Sequence, residues 1–273
     1  MTIDVGVLDG AGGQNLPDAI PMRLAGMLDP AKYRIVPLPY KAAIGPANPT
    51  PNPLDVGSGM ESSIVDGVEV GTGFAQESPN VVAFIGFSLG SSVAYRLAEQ
   101  MHAGRIRNTD GTPIERAWWA FIAGPYCHPD ETGNYGIAGE HGPIGPEPHL
   151  EIANPPDAVC RTPPSSPLRS FVPLGNLLTF TLDEATIRSW RGLWTEQIEI
   201  QAKRLAAVGL SNPQWWLQPW NIDRARREIE ATIAVYRHAI VALDGYLKGT
   251  THVTDYVTKG LLARAAAELN GLS

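Results

Sequence analysis

Short apolar, β-branched runs alternate with longer amphipathic stretches through the first half of the chain, which predicts strands separated by helices. Ile3-Asp4-Val5-Gly6-Val7-Leu8 reads as a first strand, ending in the glycine-rich stretch Asp9-Gly10-Ala11-Gly12-Gly13-Gln14-Asn15. A helix is predicted from Pro17 to Met27, because proline suits a first helical turn. Tyr33 to Leu38 reads as a second strand, Pro39 to Gly59 as a long proline- and glycine-rich loop, and Val65 to Ala75 as a short helix or irregular piece. Val81-Val82-Ala83-Phe84-Ile85 is a third, buried strand. A helix follows over Ser91 to Gln100, with Val93, Leu97 and Met101 on one face. Trp118 to Ala123 and Leu150 to Ala153 are further strands, separated by a glycine-rich loop from Pro129 to Pro148 that has no clear periodicity.

Strands and helices at this rhythm predict a three-layer α/β fold around a mostly parallel sheet. Farther along the pattern changes. Asp183 to Leu210 and Ile222 to Leu247 carry the apolar stripes of two long helices, and Trp215, Trp216 and Trp220 lie between them. Residues 165–247 are therefore assigned to a helical insertion and residues 1–164 and 248–273 to the core. A last helix is expected from about Thr254 to Leu269.

Composition narrows the classes. The 273 residues are 44% hydrophobic and 18% charged, globular values for one large domain or a domain with an insertion. A net charge of −7 argues against nucleic acid or an anionic membrane surface as the main partner. No apolar run approaches the ~18 residues of a membrane span, and Met1-Thr2-Ile3-Asp4 lacks the basic and apolar regions of a signal peptide. Cys127 and Cys160 are too few for a disulfide scaffold or a zinc site, which leaves one bridge or two buried thiols. No metal and no cofactor are expected.

The chemistry gathers at Gly86-Phe87-Ser88-Leu89-Gly90. A Gly-x-Ser-x-Gly pentapeptide between a strand and a helix is the nucleophile elbow of α/β-hydrolases. The two glycines leave room in a strained turn, and the N–H of Leu89 lies at a helix N-terminus where an oxyanion is favoured. A serine hydroxyl needs a histidine to take its proton and an acid to hold the imidazole. The chain order in this fold class is Ser, then acid, then His. His128, His141 and His149 come too early and His238 sits inside a long helix. His252, in a loop before the last helix, is the preferred base. Asp157 follows a short strand at a Pro-Pro turn and is preferred as the acid over the loop residues Asp110 and Asp130. The second oxyanion donor is expected from the loop Gly10 to Gly13, with Ala11 and Gly12 as candidates. A nucleotide reading of that loop is weak, since neither Gly-x-Gly-x-x-Gly nor Gly-Lys-Ser/Thr is present.

Taken with this elbow, Gly124-Pro125-Tyr126, Gly136-Ile137-Ala138, Glu151-Ile152-Ala153-Asn154-Pro155-Pro156-Asp157 and Thr251-His252-Val253-Thr254-Asp255-Tyr256 resemble the lysin B enzymes of phages that infect mycobacteria. These are cutinase-like serine esterases, and the resemblance covers most of the chain. It implies Ser88, Asp157 and His252 as the triad. It also implies hydrolysis of the ester joining mycolic acids to arabinogalactan during host lysis, by a protein made in the host cytoplasm and acting at the host envelope. The long stretch between Asp157 and His252, 95 positions, fits lysin B better than plain cutinases, where acid and base lie much closer. Phe87 and Leu89 depart from the Tyr and Gln more usual in a cutinase elbow, which makes Phe87 a candidate substrate contact. Trp215, Trp216 and Trp220 are candidates for contact with a lipid. The competing readings are a general cutinase, lipase or esterase and, from another class, a non-catalytic wall-binding protein on a hydrolase scaffold.

Overall fold

Two interior strands are apolar on both faces. In β3 (Val81–Phe87), Ala83, Ile85 and Phe87 enter one buried cluster while Val82 and Phe84 enter the other. β4 (Arg116–Ile122) does the same, sending Trp118, Ala120 and Ile122 one way and Trp119 and Phe121 the other. Period-2 alternation with both sets buried is the mark of a parallel sheet covered on each side. The computed structural model describes residues 2–13, 15–44, 59–170 and 249–272, with the single residues 172 and 227.

Among these residues, β1 (Ile3–Leu8), β2 (Tyr33–Pro37), β3, β4 and β5 (His149–Ile152) form one five-stranded sheet in the order β2-β1-β3-β4-β5. All four pairings are parallel. Helix α1 (Ile20–Ala25) and the C-terminal α5 (Leu261–Gly271) cover one face through Ile20, Leu24, Leu262 and Ala265. Helices α2 (Met60–Glu77) and α3 (Leu89–His102) cover the other through Ile64, Val93 and Leu97. This is the three-layer α/β-hydrolase architecture expected from the sequence. A ladder of stacked rings fills the α2–α3 side: Phe84 on Trp119 at 4.9 Å between centroids, and Phe121 on Tyr95 at 3.7 Å.

Three elements differ from expectation. The first helix is Ile20–Ala25, with Pro21 rather than Pro17 in its first turn; the Ala19 N–H is already used by the Leu16 carbonyl in a preceding turn. The piece from Val65 to Ala75 is the middle of an 18-residue helix. Its glycines weaken the helical signal but let α2 approach α3. A Cβ on Gly67 would stand 2.7 Å from Val93 and one on Gly71 2.5 Å from Leu97. The last helix is broken: a π-helical turn (Thr250–Thr254) leads into α4 (Asp255–Thr258), then Gly260 at φ 67° turns the chain into α5. The proposed helices Asp183 to Leu210 and Ile222 to Leu247 lie outside the described residues, save the single residue 227, and of the insertion assigned to 165–247 only residues 165–170, 172 and 227 are described. Up to Arg169 the chain stays on the core, that guanidinium donating to the carbonyls of Gly136 and Thr162 at 2.7 and 2.6 Å.

Candidate active site

The strand order reverses direction between β1 and β3, and at such a switch point the loops leaving the two strands part and open a crevice. Ser88 stands at the end of β3, beside the glycine loop that leaves β1. Its backbone is at φ 53°, ψ −112°, a conformation a side chain rarely adopts. The surrounding glycines permit it. A Cβ on Gly86 would overlap the Gly90 carbonyl, and one on Gly90 would overlap the carbonyl oxygens of Leu8 and Asp9. The turn is pinned to the end of β4: the Ser88 N–H donates to the Ile122 carbonyl at 2.9 Å, and the Ser91 hydroxyl reaches the carbonyls of Gly86 and Ile122 at 2.8 and 2.9 Å.

The three residues singled out in sequence meet here. His252 Nε2 lies 2.9 Å from Ser88 Oγ, and His252 Nδ1 lies 2.9 and 3.1 Å from the two oxygens of Asp157. Asp157 is fully buried and His252 is 7% exposed. A carboxylate only accepts, so the imidazole proton sits on Nδ1 and Nε2 faces the serine hydroxyl as an acceptor. Asp157 also accepts from the Val159 N–H and the Tyr256 hydroxyl, both at 2.9 Å. Burial first, then the nearby Cys160 and Asp157, push the Tyr256 phenol well above its ordinary range, so it remains a donor.

Two residues that sequence reasoning passed over complete the support. Tyr256 is four positions after His252 and turns onto the same side. Asn154, fully buried, ties the histidine segment to the aspartate segment. Its side-chain N–H donates to the Thr251 carbonyl at 2.6 Å and to Asp255 at 3.1 Å, and its backbone N–H donates to Tyr256 at 3.2 Å. Neither carries chemistry of its own, so only their spacing from Asp157 and His252 could have drawn attention. Cys127 and Cys160 are both buried and free, the second with its sulfur 3.4 Å from the Tyr256 hydroxyl.

The oxyanion candidates separate by their partners. The Gly10 N–H donates to Asp9, Gly12 to the Ala42 carbonyl at 2.7 Å, and Gly13 to the Gly10 carbonyl. Of the two candidates in this loop, Gly12 therefore has its N–H engaged by the Ala42 carbonyl. Leu89 opens α3, so its N–H has no acceptor within the helix, while its side chain is buried in the core. Phe87 is only 8% exposed. Its ring lies against the His252 imidazole with centroids 5.0 Å apart and meets Tyr256 edge-on, so it braces the histidine as well as touching the cleft. That cleft, about 490 Å³, runs along Gly10 to Gly13 and is bounded by Leu16, Phe87 and Val253. Trp215, Trp216 and Trp220 lie outside the described residues. A separate cluster, His128, His141 and Glu151, has the composition of a metal site and shares no residue with the Ser88 array.

No family model matches the chain, and no curated protein matches it. Among solved structures it is similar to lysin B from Mycobacteriophage D29, at 17% identity and a TM-score of 0.37, over 56% of this chain. The chain spans 63% of that lysin B's length. It is also similar to the catalytic core domain of acetyl xylan esterase from Trichoderma reesei, at 13% identity and a TM-score of 0.40, over 65% of this chain and 96% of that one. A third similarity, at 12% identity and a TM-score of 0.35, is to an acetylxylan esterase solved at 0.90 Å resolution, over 69% and 97% of the two chains.

Proposed function

We propose that the chain is a serine ester hydrolase. The observation that carries the reading is the continuous Ser88–His252–Asp157 hydrogen-bond relay, built on a serine held at positive φ. Ser88 Oγ attacks the ester carbonyl as His252 Nε2 takes its proton, and Asp157 stabilises the imidazolium. The N–H groups of Leu89 and Ala11 receive the oxyanion. His252 then returns the proton to the departing alcohol, which leaves an acyl group on Ser88. Water, deprotonated by His252, attacks that acyl carbon and frees the acid with Ser88 restored.

For the substrate we infer an ester with a large apolar group, and specifically the mycolyl ester of arabinogalactan. Two observations support it: the sequence resemblance around residues 86–90, 151–157 and 251–256, and an apolar cleft rim. Leu16 and Val253, 53% and 41% exposed, are two of the five large hydrophobic side chains that stand out among the described residues, and both border the cleft. No described helix is long and apolar enough to cross a membrane.

Labelling with a fluorophosphonate probe tests the chemistry, with a single adduct on Ser88 expected and lost in Ser88→Ala. An unlabelled parent protein overturns the hydrolase reading and favours a binding protein on this scaffold. Incubation with mycobacterial cell-wall material tests the substrate. Activity on soluble nitrophenyl esters without release of mycolic acid would point to a general carboxylesterase.

A further inference from the structure

The glycine-rich loop after β4 and the edge strand β5 bring together side chains the hydrolase reading leaves unused. His128 Nδ1 lies 2.9 Å from Glu151 Oε1, and His141 Nε2 lies 3.5 Å from the same oxygen. The three donor atoms fall within 4.8 Å of one another. Two ligands on one tetrahedral zinc stand about 3.3 Å apart, from bonds of roughly 2.0–2.1 Å. Small side-chain adjustments therefore bring all three atoms onto one ion.

The decisive group is His141. Its side chain is only 5% exposed, and its ring stacks on Tyr95 with centroids 4.7 Å apart. Nδ1 stands 2.6 Å from the Gly142 carbonyl, which can only accept, so Nδ1 carries the proton. Nε2 is buried, has no hydrogen-bond partner and is aimed at a carboxylate. Nε2 and Glu151 Oε1 thus face each other 3.5 Å apart in a buried site. There the carboxylate is balanced either by a proton on the ring, which Glu151 favours, or by a metal ion between the two groups. A histidine whose Nδ1–H is held by a backbone carbonyl while Nε2 is free is the arrangement that orients metal-ligating imidazoles. Glu151 is oriented too: it accepts from the His128 N–H at 3.0 Å and from the Tyr95 hydroxyl at 3.2 Å.

We propose that His128, His141 and Glu151 bind one divalent transition-metal ion of the zinc type, clamping the loop at 129–148 to β5. Imidazole and carboxylate together suit zinc rather than magnesium or calcium. The fourth position falls to water or to His149, whose ring lies 6.3 Å from that of His141. The sequence hides the site because its ligands, at 128, 141 and 151, follow no metal-binding spacing. The competing state is an imidazolium at His141 paired with Glu151, which binds no metal.

Untagged, chelator-treated protein is titrated calorimetrically with Zn²⁺. One equivalent is expected to bind with Kd at or below about 1 μM, raising Tm, while Mg²⁺ gives no such step. His128→Ala, at a half-exposed ring, should weaken binding by about 100-fold or more and abolish the Tm shift. Glu151→Gln, which keeps the side-chain shape, should act in the same direction. Failure of the parent to take up one equivalent, an equal step with Mg²⁺, or undiminished binding in both variants overturns the proposal. None of these readouts depends on esterase activity.

Discussion

Replacing Asn154 with alanine removes the side-chain ties it makes between the two segments that carry Asp157 and His252, while the Tyr256–Asp157 bond and the Asn154 backbone bond to Tyr256 remain. Three side-chain hydrogen bonds disappear: to the Thr251 carbonyl at 2.6 Å, to Asp255 at 3.1 Å, and from Lys259 at 3.3 Å. The last two contribute little, because Lys259 and Asp255 keep each other at 2.7 Å and Lys259 is half-exposed. The first weighs most, since its loss strands a carbonyl beside a buried site. Together they amount to about 2–3 kcal/mol, and Tm should fall by about 5–10 °C in a protein of this size. The kinetic effect follows from position. Thr251 adjoins His252, and the π-helical turn holding both loses its bond from the Asn154 side chain and is left tied to the aspartate segment through His252 itself. A displacement of the imidazole by ~1 Å costs up to ~100-fold in rate, so kcat on a nitrophenyl ester should drop about 10- to 100-fold. KM should change much less, because the walls of the cleft at Gly10 to Gly13 and Phe87 are untouched. Urea unfolding and steady-state kinetics read the two effects separately. A folded Asn154→Ala protein with parental kcat would refute the claim that this amide positions the histidine.

Strain at Ser88 gives a second prediction: Ser88→Ala and Ser88→Gly should both be inactive, yet the glycine variant should be the more stable by about 1–2 kcal/mol, since only glycine relaxes at φ 53°. Equal melting temperatures would contradict it. Asp157→Asn should reduce kcat by about 10³–10⁴-fold, because an amide no longer dictates the Nδ1 proton of His252; a loss under tenfold would remove Asp157 from the relay. The buried Asp4 sets a pH dependence. Hydrogen bonds from the Arg34 guanidinium, helped by Ser78 and Asn80, hold its carboxyl at about 2, below the ordinary 3.8. A depressed folded value means stabilisation that is present above pH 3.8 and lost as pH falls toward 2. The stability gap between parent and Asp4→Asn should therefore narrow on acidification, by on the order of 1 kcal/mol because Arg34 is 54% exposed. Urea midpoints at pH 6 and pH 2 that shift equally in both proteins would sink it.

The strands were legible because each is a short apolar run flanked by turn residues, and both faces of the sheet are covered. The elbow was legible because two glycines bracket a serine at a strand–helix junction, where a Cβ on Gly86 or Gly90 meets backbone. Helix α2 was poorly legible for a related reason: Gly67 and Gly71 lower helix propensity in order to seat Val93 and Leu97. Tertiary packing outweighed propensity there. Gly12 could not be told from Ala11 by sequence, since only the fold brings the Ala42 carbonyl to the Gly12 amide. The support residues Asn154, Tyr256 and Ser91 were invisible because they act by reach, and reach depends on the fold.

What unites these parts is the reversal of strand order between β1 and β3. From β1 the chain crosses to β2 through α1 on one face of the sheet; from β3 it crosses to β4 through α3 on the opposite face. The two loops must therefore diverge just where their strands are hydrogen-bonded neighbours, with Leu8 in register with Gly86. Divergence opens the crevice and adjacency narrows it: a Cβ on Gly10 would come within 3.3 Å of Ser88 Cβ. An ester carbonyl entering there would meet Ser88 Oγ together with amides from residues far apart in sequence, Ala11 and Leu89. The strained serine is affordable because β4 clamps it, Ile122 accepting from both the Ser88 N–H and the Ser91 hydroxyl. On this reasoning Ser91→Ala should lower stability by about 1–3 kcal/mol, and it should lower kcat more than KM although Ser91 touches no substrate. Parental kcat in a folded Ser91→Ala protein would mean that the strain at Ser88 is held by the glycines alone.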